Sequence, residues 1–188
     1  QKIENAKEES PSKSPITIVG VVKYQTIEDA NNLIQFGIKD IAENYVQSLT
    51  ERAPLFLPCK KHLIGHLQTN KVKAALLYAD MIQSVDSIHL LQEIQKQSSK
   101  LNKTTEILIQ VNISKEEAKS GCDVSEVNNL ISFCAECPNI SLKGLMAIMP
   151  IDKNPLFYQK MYELFIDKKE FLVHNINSKN TSNFFFSY

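Results

Sequence analysis

Lys23 closes a dense apolar run, "ITIVGVVK" over residues 16–23, and an amine delivered at the end of such a strand has two readings. Held away from water, it is a nucleophile toward an aldehyde and can form a Schiff base. Left at the solvated end of the strand, it only extends its stem over apolar surface. Four other residues punctuate later apolar runs: Asn44 in "AENYVQ", His66 in "GHLQTNK", Ser84 in "IQSVDS" and Met146 in "GLMAIMP". Each also has an ordinary reading. Asn44 can cap a helix beginning near Val46, and His66 can be a satisfied core or supporting histidine. Position alone leaves these alternatives open.

The elements that must carry these residues alternate in type. Apolar runs at Ile16–Lys23, Ile38–Asn44, His62–Leu67, Met81–Val85, Glu106–Asn112, Leu142–Ile148 and the terminal "NFFFSY" predict strands. Between them, "IEDANNLIQFG", "NKVKAALLYA", "SIHLLQEIQKQ", "SEVNNLISFCAE" and "LFYQKMYELFIDKKEF" space apolar residues three and four apart, as helices do. Thr26, Ser87 and Ser125 stand where helix N-caps belong, and Gly37 where a helix-ending glycine belongs. The strands lack clean alternation, the pattern of parallel strands covered on both faces. Repeated strand–helix units without GxGxxG after strand one, and without GxxxxGK[ST], favour an α/β fold of the (β/α)8 TIM-type barrel over a doubly wound sheet. A barrel gathers its functional groups at the C-terminal ends of the strands, where Lys23, Asn44, His66, Ser84 and Met146 fall.

Composition narrows the function classes. The 188 residues are 43% hydrophobic and 22% charged, which fits a single globular domain over 1–188. Acidic and basic residues balance at 21 each, so no overall field draws in nucleic acid or an anionic membrane. No apolar run approaches the roughly 20 residues that span a bilayer. The four cysteines are too sparse for a secreted disulfide framework and fit reduced thiols in a cytosol-like compartment, although a targeting segment before Gln1 stays open. "CAEC" at 134–137 lacks the further ligands of a zinc site, so no metal is expected.

The segments "ITIVGVVK", "FGIKDIAENYVQ", "HLIGHLQTNKVK", "IQSVDS", "ILIQVNISKEEAKSG" and "LKGLMAIMP", in this order, resemble the pyridoxal phosphate homeostasis family, relatives of the N-terminal barrel of alanine racemase. The resemblance implies a barrel of that kind, with pyridoxal 5'-phosphate (PLP) held as a Schiff base on Lys23 and Asn44, His66, Ser84 and Met146 lining the site. It implies a PLP carrier in vitamin B6 and amino-acid homeostasis, cytoplasmic and monomeric, with PLP-dependent apo-enzymes as partners and no catalytic residue. The alternatives are a racemase-like enzyme using Lys23 as base, and an interaction module that has lost PLP. Val22 stands where the family usually has serine, and "YQT" where it has a Thr-Lys-Pro-like stretch. Eight units usually take roughly 200 to 250 residues, so a C-terminal portion, with the groups that hold the phosphate, is expected beyond Tyr188. The charged stretch "KEEAKSG", with Lys119, reads either as a ligand loop or as a solvated turn.

Overall fold

The computed structural model describes residues 16–116, 120–149, 154–175 and 185–187. Strands and helices alternate: β1 Val19–Val21, α1 Ile27–Gln35, β2 Asp40–Glu43, α2 Val46–Arg52, β3 Lys60–Leu63, α3 Val72–Tyr78, β4 Met81–Val85, α4 Ile88–Lys100, β5 Thr105–Gln110, α5 Val127–Ala135, β6 Ile140–Met146, α6 Pro155–Asn175 and β7 Phe185–Ser187. Every strand pairs in parallel with its sequence neighbours, in the order β1 to β7. A doubly wound sheet would reverse its strand order part-way. The uninterrupted order is that of an α/β TIM-type barrel, with the ladder not closed between β1 and β7 among the described residues.

Alternation along the strands separates two surfaces. Ile82, Ile107, Ile109 and Leu145 point outward into the main core, packed with Leu76, Leu91, Ile94 and Ile131 of the helices. Val22 and Ile41 do the same beneath Ala30 and Ile34 of α1. Each such aliphatic side chain gains roughly 1.5–3 kcal/mol from burial, which fastens the helices to the ladder. On the inward surface Met81, Leu108 and Met146 form a separate apolar cluster. No described helix is long and apolar enough to cross a membrane.

Local signals explain where the helices start. Thr26 caps α1 reciprocally: its hydroxyl accepts from the Asp29 N–H at 3.0 Å, and Asp29 accepts from the Thr26 N–H at 3.3 Å. Ser87 caps α4 through the Leu90 N–H. Gly37 follows α1 at φ 101°, a conformation open to glycine. Ser125 is not the cap expected of it. Asp123 accepts from the Ser125 N–H at 2.8 Å and opens the short 3₁₀ turn Val124–Glu126 that leads into α5, because a carboxylate satisfies the free N–H groups better than the hydroxyl two residues later.

Strand three is also displaced from its expected span. It runs Lys60–Leu63 instead of His62–Leu67, since the charges at its start are neutralised by other elements. Lys60 meets Glu106 of β5, Lys61 meets Asp80, and His62 meets Asp40 of β2. His66 therefore lies in the loop beyond β3 and is 58% exposed, rather than on an apolar strand.

Candidate functional site at the strand ends

Three neighbouring strand ends are tied by hydrogen bonds that continue past the strands. The Val22 N–H donates to the Ala42 carbonyl at 3.0 Å, and the Ile64 N–H to the Glu43 carbonyl at 3.0 Å. β1 registers Val21 on Ala42, so the turn that carries Lys23 leaves β1 beside the end of β2. Gly65 then passes directly over Asn44: a Cβ at position 65 would lie 2.0 Å from the Asn44 carbonyl oxygen. Only a residue without a side chain permits this approach, which brings the loop of β3 onto the end of β2.

Lys23 is exposed, on the turn between β1 and α1. Burial is thus not what would make it a nucleophile. Val22, the residue before it, packs outward beneath α1. The turn is unusual at the next residue: Tyr24 adopts φ 65°, and its hydroxyl lies 3.5 Å from that of Tyr45 at the end of β2. Non-glycine residues held in this region gather at functional sites.

Asn44 is partly buried, and its Oδ1 has no hydrogen-bond partner among the described residues. Ser84 is fully buried with its hydroxyl equally unpartnered. The pairing of β4 with β5 is irregular between Ile82 and Val85, both of which face the helices, so Gln83 and Ser84 share the inward side. A buried polar atom without a partner costs about 1–3 kcal/mol, so both atoms favour a ligand that supplies one. Met146 is buried in the inward cluster with Met81 and Leu108. His66 is loosely associated with Asp86, Nδ1 to Oδ2 at 3.9 Å. Lys23, Asn44, Ser84 and Met146 thus lie at the same end of the sheet, with Ser84 and Met146 on its inward side, and His66 lies on the loop beyond β3. Lys119 lies outside the described residues.

Below these groups a polar chain of three residues is internally satisfied. Gln83 Nε2 donates to His62 Nδ1 at 2.8 Å, and His62 Nε2 donates to Asp40 Oδ1 at 2.9 Å, which defines a neutral ring protonated at Nε2. Burial holds this imidazole below its ordinary 6.5, against the opposing pull of Asp40. Below about pH 6.5 the unfolded chain takes up a proton that the folded chain resists, so His62 removes stability as pH falls through that window. Urea denaturation between pH 7.5 and 5 is expected to show this decline, and His62→Gln should flatten it. Cys134 and Cys137 are free buried thiols, both raised above the ordinary thiol value by burial, and no described group of three His, Cys, Asp or Glu converges.

Two residues that the sequence reading gave no role complete the frame. Glu43 is 1% exposed, and burial raises its carboxyl above the ordinary value against Arg52. Arg52 Nη1 approaches Glu43 Oε1 at 2.8 Å, while neither carboxylate oxygen has a well-aligned hydrogen bond, so the contact is one of charge. The same guanidinium donates to the Val22, Gln25 and Thr26 carbonyls around Lys23. Arg52 is the chain's single arginine, and that rarity was the only signal in the sequence.

The model of the alanine racemase N-terminal domain matches residues 2–183. The pyridoxal phosphate homeostasis protein of Haemophilus influenzae is 33% identical over 181 residues, covering 92% of this chain and 76% of that protein. Its counterpart from Aquifex aeolicus is 34% identical over 153 residues, 78% of this chain and 67% of the relative. Among solved structures, an unknown protein from Bifidobacterium adolescentis superposes with TM-score 0.83 at 25% identity, covering 96% of this chain and 79% of that one. PipY of Synechococcus elongatus, solved with PLP bound, superposes with TM-score 0.77 at 18% identity, covering 100% of this chain and 97% of PipY, a likeness of fold. The matched domain over nearly the whole chain, with relatives above 30% identity over at least two thirds of their own length, places this chain in the alanine racemase N-terminal domain family, among the pyridoxal phosphate homeostasis proteins.

Proposed function

We propose that this chain binds PLP at the strand ends and serves PLP homeostasis. The observation that carries the reading is an accessible lysine, Lys23, on the turn that follows β1 beside the end of β2, where Asn44 Oδ1 has no partner among the described residues, in a chain whose relatives are named for PLP homeostasis. PLP supplies an aldehyde that condenses reversibly with a primary amine and releases water. Lys23 offers that amine. Asn44 offers its amide to the oxygen substituent of the ring, and the Ser84 hydroxyl gains a partner in the same way. Met146, backed by Met81 and Leu108, gives the ring an apolar support. His66, on the loop beyond β3, lies at the rim.

In this reading the protein holds PLP as a monomer in the cytoplasm and passes it to PLP-dependent apo-enzymes. The four free thiols accord with a reducing compartment. Borohydride treatment of the protein with PLP is expected to fix about one pyridoxyl group per chain, and peptide mapping should place it on Lys23. Lys23→Ala should reduce fixation to background while leaving the circular dichroism unchanged. Fixation spread over other lysines, with Lys23 unmodified, would remove the assignment.

A further inference from the structure

We propose that Arg52 is the positioning residue of this site: its guanidinium fixes the turn that carries Lys23 against the end of β2. The inference rests on the role given to Lys23 above. Arg52 ends α2 with its side chain 17% exposed. Nη1 donates to the Val22 carbonyl at 3.1 Å, and Nη2 to the Gln25 carbonyl at 2.8 Å and more weakly to Thr26 at 3.5 Å. These carbonyls bracket Lys23 and Tyr24. Nη1 also faces Glu43, the residue before Asn44, and the guanidinium lies 5.6 Å from the centre of the Phe56 ring. One planar group is thus tied both to the turn of β1 and to the end of β2.

The turn needs such a tie. Residues 22–26 contain no proline, and their internal closure is the Gln25 N–H to Val22 carbonyl bond at 3.1 Å. Tyr24 holds a left-handed backbone that persists only where its surroundings impose it. A guanidinium has five donors in a rigid fork and can address carboxylate and carbonyls together, whereas an ammonium acts as a single point charge. Arg52→Lys therefore keeps a cation for Glu43 and loses the bridge. The double variant Arg52→Ala/Glu43→Gln removes the bridge without stranding a buried carboxylate.

Trypsin cleavage of the Lys23–Tyr24 bond, without PLP, reads the turn directly, with cleavage after Lys96 on α4 as the reference. In both variants the ratio of the first rate to the second should rise about tenfold or more, as expected when charge-assisted hydrogen bonds are lost. The concentration of PLP giving half-maximal fixation on Lys23 should rise by a similar factor. An unchanged ratio in the two folded variants overturns the proposal, as does a rise at Lys23 matched at Lys96, which would report general loosening. If wild-type Lys23 fixes no PLP, the reading of Lys23 fails, and the cleavage ratio still decides whether Arg52 holds the turn.

Discussion

Gly65→Ala is expected to destabilise the protein by about 3 kcal/mol, the upper part of the usual range for an overpacked site. The added Cβ would lie 2.0 Å from the Asn44 carbonyl oxygen, 2.8 Å from its carbonyl carbon and 3.0 Å from its Cα. All three are backbone atoms, so no rotamer change relieves the overlap. Separating the chains also strains the Ile64 N–H bond to the Glu43 carbonyl. The same substitution at Gly20 is an informative control. There the Cβ would meet the tips of the Ile41 and Ile38 side chains at 3.1 and 3.3 Å, which can give way, and the cost should stay within about 1 kcal/mol. Urea midpoints of the two variants check the contrast. Because Asn44 belongs to the proposed site, Gly65→Ala should also weaken PLP fixation on Lys23, and Gly20→Ala should not. Equal stability of the two variants would show that the strand ends separate freely.

Arg52→Ala is expected to lose about 3–5 kcal/mol at neutral pH, the usual consequence of stranding a buried charge. Glu43 is 1% exposed, and Arg52 is its ion-pair partner among the described residues. Burial already raises the Glu43 carboxyl above its ordinary 4.5, with Arg52 opposing that rise. The sign of the pH dependence follows. In the window above 4.5 the folded state holds a proton that the unfolded state has released, so stability falls as pH rises through it. Without Arg52 the opposing influence is gone and the window extends upward. The deficit of Arg52→Ala relative to wild type should therefore be largest near pH 7 and shrink toward pH 5. Adding Glu43→Gln should remove most of this pH dependence, and what deficit remains measures the lost ties to the Val22 and Gln25 carbonyls. A pH-independent deficit, unchanged by Glu43→Gln, would show that the carboxylate is not stranded.

Strands that carry no charged residue were legible from the sequence. β4 spans Met81–Val85 as expected, because all five of its residues are buried and the run needs no partner to be recognised. β3 was not, because it opens with Lys60, Lys61 and His62, whose burial depends on Glu106, Asp80 and Asp40. Those partners lie 19 to 46 residues away in sequence, beyond any local pattern. The displacement moved His66 off the strand and made His62 the interior histidine. Asp123 displaced Ser125 as a cap for a more local reason, the stronger acceptor taking the same free N–H groups.

The sequence by itself determined the alternation of strand and helix, the parallel barrel order, and the kinship carried by segments such as "AENYVQ" and "GHLQTNK", since periodicity and motif are properties of neighbours along the chain. It also offered Lys23, Asn44, His66, Ser84 and Met146 as candidates, because strand ends can be counted. Only the tertiary structure decided that Lys23 is exposed rather than buried, that Gly65 is required by the backbone of Asn44, and that Arg52 joins Glu43 to the turn around Lys23. The physical reason is common to all three. Exposure, close approach and charge pairing are set by groups that share no stretch of chain, and they acquire values only when the ladder brings the ends of β1, β2 and β3 side by side.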